Sequence, residues 1–178
     1  GVTYLGFTPA NRSGEAYTRC QSAVYSQFRG GLVVEYVTRK FDDPNPGFDN
    51  DPRLAAERTA HAERAGRLVA VHRLMPSASP LRDIVGEAEY DRLQDMWADR
   101  QRRHRWSVAF PIVESWDIVG MPDARDALGQ TAYRRLFAHP SGLLRPLNED
   151  EPALFADMQV LPRLAPNSHL LIEREIQA

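Results

Sequence analysis

The chain has 178 residues, 43% hydrophobic and 26% charged, with a formal net charge of −2. That is about one domain's worth, and it excludes a strongly basic arm or an acidic tail as the main functional device. It leaves nucleic acid open, because a basic patch can sit on a near-neutral protein.

In chain order, residues 2–7 are short and apolar and read as a strand. Residues 9–14 break it, and Asn11, Arg12, Ser13 and Gly14 make a polar loop able to turn tightly and offer backbone N–H groups. Residues 16–28 read as a helix with Ala16, Cys20, Ala23, Val24 and Gln27 near a 3.6 period, stopped by Gly30 and Gly31. Residues 32–37 (Leu-Val-Val-Glu-Tyr-Val) are β-branched and mostly apolar, a clear strand. Residues 42–52, rich in Pro, Asp and Asn, form a loop. Its cluster Asp42, Asp43, Asp49 and Asp51 invites a calcium reading, but the spacing lacks the central Gly and closing Glu of a calcium loop, so a solvated loop is expected.

Residues 53–65 carry strong helix formers. Residues 67–74 (Arg-Leu-Val-Ala-Val-His-Arg-Leu) read as a second buried strand, ended by Pro76 and Pro80. Residues 87–104 read as a helix with Tyr90, Leu93, Met96 and Trp97 on one stripe. Its last turn holds Arg100, Arg102, Arg103 and His104, with Arg105 just beyond; these cations suit either the helix dipole or phosphate. Residues 106–116 read as a long strand in which Trp106, Val108, Phe110 and Ile112 share a buried face. Pro111 inside it implies an edge or a bulge. Residues 121–129 read as a loop, 130–138 as a short helix and 141–147 as a strand or turn. Asn148 is expected to cap a helix over 149–158, with Glu149 to Glu151 as its acidic first turn. Residues 168–176 close the chain as a strand. Strands mixed with helices, without repeats, give one α+β domain over residues 1–178.

Much chemistry is missing. The single cysteine, Cys20, excludes an internal disulfide and a cysteine-rich zinc site. The histidines His61, His72, His104, His139 and His169 are scattered, with no metal-binding pair. There is no phosphate-binding glycine loop and no nucleophile elbow. No metal and no cofactor is expected. One enzymatic set survives: Thr38 and Lys40 with Glu35 or Glu114 as the carboxylate, which requires burial to lower the lysine pKa. Lys40 is the only lysine. Arginine suits bidentate phosphate and base-edge contacts, although a GC-rich genome gives the same bias. No apolar run approaches the ~20 residues that cross a bilayer, and no leader opens the chain. The expectation is a cytoplasmic protein without a membrane partner, cut from a longer chain in view of its start at Gly1.

The order of elements resembles the PUA-like superfamily, which includes the EVE, YTH, ASCH and SRA domains, and is closest to the EVE type. The helix, glycine and strand of residues 22–37 resemble the segment that leads into a central barrel strand. Residues 67–74 resemble the next barrel strand, 106–118 the long strand after a variable insertion, and Leu143-Leu144-Arg145-Pro146-Leu147 the stretch before the last helix. The helix over 87–104 and the loop 42–52 depart from that pattern and read as insertions.

The resemblance implies a small β-barrel with flanking helices that binds nucleic acid, DNA ahead of RNA, and captures a modified base in an aromatic pocket. It also admits a separate nuclease domain or subunit as partner, and as alternatives an RNA reader or a small hydrolase of modified nucleosides. Stacking a flipped base on aromatic rings returns ~1–3 kcal/mol. The expected pocket draws on Trp116, Asp117, Tyr25, Ser26, Tyr17, Trp106 and Tyr36. Trp116 is favoured because it ends its strand, and Asp117 could accept from an exocyclic amine. Trp97 and Trp106 also fit a core role, Tyr36 a central strand and Asp117 a turn. Trp106 and Trp116 lie roughly 33 Å apart if extended, too far to share one cage without a bend at Pro111. Backbone contacts are expected from Asn11, Arg12, Arg29, Arg100, Arg102, Arg103 and Arg105.

Overall fold

The computed structural model describes residues 4–7, 32–75, 78–98, 105–138 and 145–163. Its centre is one long strand, β5 (Val108–Ile118), to which four others attach. On one side, β3 (Leu68–Leu74) pairs with its second half and β4 (Ser79–Pro80) with its first. On the other side, β1 (Tyr4–Phe7) takes the first half and β6 (Val160–Arg163) the second. β2 (Val33–Tyr36) extends the sheet beyond β3. All pairings are antiparallel, and the sheet curls into a half-barrel flanked by helices. The α+β class is as expected.

Ala109 to Val113 are buried in succession, so β5 is covered on both faces where alternation was expected. That burial is why the strand reads as a continuous apolar run. Pro111 does not sit at an edge. Its carbonyl accepts the Met75 N–H at 2.8 Å, on the side where β3 gives way to β4. The donor that proline lacks therefore falls at the break between two partner strands.

Helix α1 (Pro52–Arg64) starts on Asp51, whose carboxylate accepts the Arg53 N–H at 2.9 Å. Helices α2 (Leu81–Val85) and α3 (Glu87–Trp97) follow β4, and Leu81 and Tyr90 bury against Ala109 of β5. Helices α4 (Ala124–Leu128) and α5 (Gln130–Phe137) cover the other half of the sheet, where Leu128, Tyr133 and Leu136 pack on Leu68 and Ile118. A third cluster, Leu74, Phe110 and Ile112, lies between them in the sheet.

Further expectations change, among them the helix over 87–104, which ends at Trp97. The long strand runs from Val108 to Ile118, so Trp106 lies in the turn before it and Trp116 two residues inside its end. The loop over 121–129 contains α4, capped by Asp123, which accepts from the N–H groups of Arg125 and Asp126. The helix over 149–158 is reduced to a 3-10 turn, Pro152–Phe155. Glu151 is buried against Arg135 of α5 and also accepts the Asn148 N–H, so tertiary contacts replace the expected helix start. β6 and the short β4–α2 unit had no counterpart in the sequence reading. The helix over 16–28 and the strand over 168–176 lie outside the described residues.

Candidate functional site

A cleft of about 390 Å³ opens where β1, the segment after β2, α1, α3 and the turn before β5 meet. That is the low end of small-ligand sites, and large enough for a base with part of its sugar. Its lining includes the aromatic rings of Phe41, Trp97 and Trp106, with Tyr4, among polar and charged residues. Trp97 and Trp106 meet edge to face with centroids 6.4 Å apart, and Phe41 meets Trp97 in the same way at 6.0 Å. Edge-to-face contacts of this kind are a favoured geometry for aromatic pairs. Burial raises the Tyr4 hydroxyl pKa, with the nearby Glu89 charge adding to it.

Each wall has an identifiable support. Arg105 donates to the Trp97 carbonyl at 3.0 Å and to Asp42 at 2.7 Å, while its guanidinium covers the Trp106 ring at 4.2 Å. Buried Gln94 of α3 holds the backbone of Arg105 at both ends, accepting its N–H at 2.8 Å and donating to its carbonyl at 2.7 Å. Under that clamp Trp106 has φ of 53°, a left-handed conformation that is an outlier for a bulky residue. Gly6 of β1 faces it, and a Cβ there would stand 3.1 Å from the Trp106 Cβ.

The loop over 42–52, whose Asp42 lines the cleft, is pinned and not merely solvated. The Asn45 side-chain amide donates to the carbonyls of Asp95 (2.9 Å) and Ala98 (2.7 Å), and its N–H donates to Met96 (2.7 Å). These are carbonyls that the end of α3 leaves without helical partners. His61 of α1 donates from Nε2 to the Thr38 carbonyl at 2.7 Å and sets its ring edge-on to Phe41 at 5.2 Å. The acidic residues of the loop serve these supports: Asp42 holds Arg105, Asp51 caps α1, and Asp43 lies 3.7 Å from Arg58. Among the described residues, no group of His, Cys, Asp and Glu has the arrangement of a metal site.

The residues singled out from the sequence scatter. Trp106 lines the cleft, and Arg105 braces it. Tyr36 is elsewhere, stacked on Phe137 at 4.2 Å and sharing a hydrogen bond with Tyr133. Burial pushes its pKa up to about 12. Trp116 is half-buried in mid-sheet between Val71 of β3 and Pro162 of β6. Asp117 pairs with Arg163, which holds its carboxyl below the usual range. Tyr17, Tyr25, Ser26, Asn11, Arg12, Arg29, Arg100, Arg102 and Arg103 lie outside the described residues. Phe41 and Tyr4 went unread as site residues, Phe41 because it borders a loop rich in Pro and Asp. Trp97, which fitted a helix core, is half-buried at the cleft.

The enzymatic set is not brought together. The Thr38 hydroxyl donates to the Lys40 carbonyl at 3.1 Å, and Glu114 binds Arg73 at 2.5 Å. Glu35 instead accepts from His72 Nε2 at 2.5 Å, while Nδ1 of the same ring lies 2.7 Å from the Ser115 hydroxyl. A carboxylate, an imidazole and a hydroxyl in series match the order of a nucleophile relay. Here they tie β2, β3 and β5 together, and His72 and Ser115 are only 5% and 6% exposed, closing the hydroxyl to a substrate. No protein-family model, no curated protein and no solved structure matches this chain.

Proposed function

We propose that the chain is a nucleic-acid-binding module of the PUA-like kind, which takes one base out of its stack into the cleft between Phe41, Trp97 and Trp106. The observation that carries this reading is the cleft itself: base-sized, walled by aromatic rings at steep angles, and braced by Arg105, Gln94 and Asn45. Stacking works for any base, and each ring face is worth ~1–3 kcal/mol. Tyr4 and Leu93 add apolar surface against which burying a base methyl is worth ~0.8 kcal/mol. This supports a modified base as the preferred guest, with DNA ahead of RNA. The curled antiparallel sheet is compatible with a PUA-like barrel. Arg58, whose guanidinium lies 5.7 Å from the centroid of the Phe41 ring, is the nearby cation for an adjoining phosphate.

The test is a panel of DNA and RNA oligonucleotides, methylated and unmethylated, measured at several salt concentrations. Modified DNA should bind tightest, and affinity should fall with salt. Trp106→Ala and Phe41→Ala should each weaken binding roughly 5- to 150-fold, the loss of one stacking partner. Trp116→Ala should leave the preference for modified bases in place. Equal affinity for the parent and both cleft variants would overturn the reading.

A further inference from the structure

Two charged side chains of the cleft are not used by its supports. Lys40 stands exposed on the bend after β2, where its backbone carbonyl accepts the Thr38 hydroxyl. Glu57 of α1 lines the same cleft. Among the described residues, neither the ammonium nor the carboxylate has an ion-pair partner, and the two do not come within 4.0 Å of each other. The neighbouring charges are committed: Asp42 to Arg105, His61 to the Thr38 carbonyl, and Arg92, which feels the Glu57 charge as Tyr4 does, to Glu89. An unpaired donor and an unpaired acceptor therefore share an aromatic cleft with a gap between them.

We infer that Glu57 and Lys40 read the edge of the stacked base, and that the cleft selects bases carrying an exocyclic amine. This rests on the nucleic-acid reading given above. A carboxylate only accepts, and the amines of cytosine, adenine and guanine donate to it. An ammonium only donates, and each of these bases has a ring nitrogen or carbonyl beside its amine to receive it. Uracil and thymine held in the register of cytosine set O4 where the amine was and N3–H where the ring acceptor was, so O4 meets the carboxylate and N3–H meets the ammonium. Hydrogen bonds with an ionised partner are about twice as strong as neutral ones, so an opposed charged couple discriminates well.

The probes are two oligodeoxynucleotides identical except for one unpaired residue, deoxycytidine or deoxyuridine, which differ at ring C4 by an amine against a carbonyl. Anisotropy is measured with the full chain and with Glu57→Gln, Lys40→Met and Trp106→Ala. The parent should bind the deoxycytidine strand about tenfold tighter. Glu57→Gln, whose amide can donate to a carbonyl, should bring the two strands to within about twofold. Lys40→Met should weaken both. Both residues are exposed, so these two variants should melt with the parent.

Binding that Trp106→Ala weakens, but that is equal for the two strands or indifferent to Glu57→Gln, overturns the edge assignment and leaves the cleft reading standing. Binding indifferent to Trp106→Ala, and to Phe41→Ala should the first variant not fold, removes both.

Discussion

At the scale of single residues, the cleft depends on a backbone conformation that Trp106 would not adopt alone. A positive φ costs an ordinary residue roughly 1–3 kcal/mol and persists only where its surroundings impose it. The Gln94 clamp and the Arg105 guanidinium impose it here. Gly6 leaves the space the indole needs, and Gly66 likewise admits the Arg39 side chain, which reaches Asp123 at 2.6 Å. Gly6→Ala would press a methyl to 3.1 Å from a Cβ whose backbone is already fixed. The expected outcome is a loss of about 1–3 kcal/mol of stability, as for overpacking, together with an altered tryptophan emission spectrum. A variant with unchanged urea midpoint and spectrum would show that the turn yields freely.

At the scale of elements, strands β2 and β3 were legible because β-branched apolar runs bounded by Gly or Pro have few other solutions. Helices α1 and α5 were legible through their formers. α4 was missed although Asp123 and Gly129 bracket it, because five residues are too few to show a period. β6 was missed because Val-Leu-Pro-Arg has no alternation; its strand state comes from pairing with β5. The cleft was legible only in its tryptophans, since periodicity places Trp97 on the apolar stripe without separating core from cleft. Asn45, hidden among prolines and aspartates, is what joins loop to helix. Asn45→Ala leaves the carbonyls of Asp95 and Ala98 without that amide and should cost about 1–3 kcal/mol. Base binding should weaken beyond the stability loss, because Phe41 is carried by the same segment; retained affinity in the folded variant would uncouple loop and cleft.

At the scale of the whole molecule, several carboxylates are held below their ordinary pKa: Glu35 by its bond from His72, Glu89 by Arg92, Asp117 by Arg163 and Glu151 by Arg135. A depressed folded-state pKa means stability that is complete above the unfolded value, near ~4, and is lost as pH falls through the folded values. The urea midpoint should therefore be flat from pH 7 to about 5 and decline below ~4. Glu35→Gln should reduce that decline. A midpoint constant to pH 3 would contradict these pairings. The dependence of the sheet on β5 also has a consequence during synthesis. β1 pairs with residues roughly a hundred positions later in the chain. At about 5–20 residues per second, the ribosome delivers that partner only some 5–20 s afterwards. β2 and β3 can pair in the interval, whereas β1 waits as an unpaired edge until β5 emerges, which makes it a segment a nascent-chain chaperone would meet.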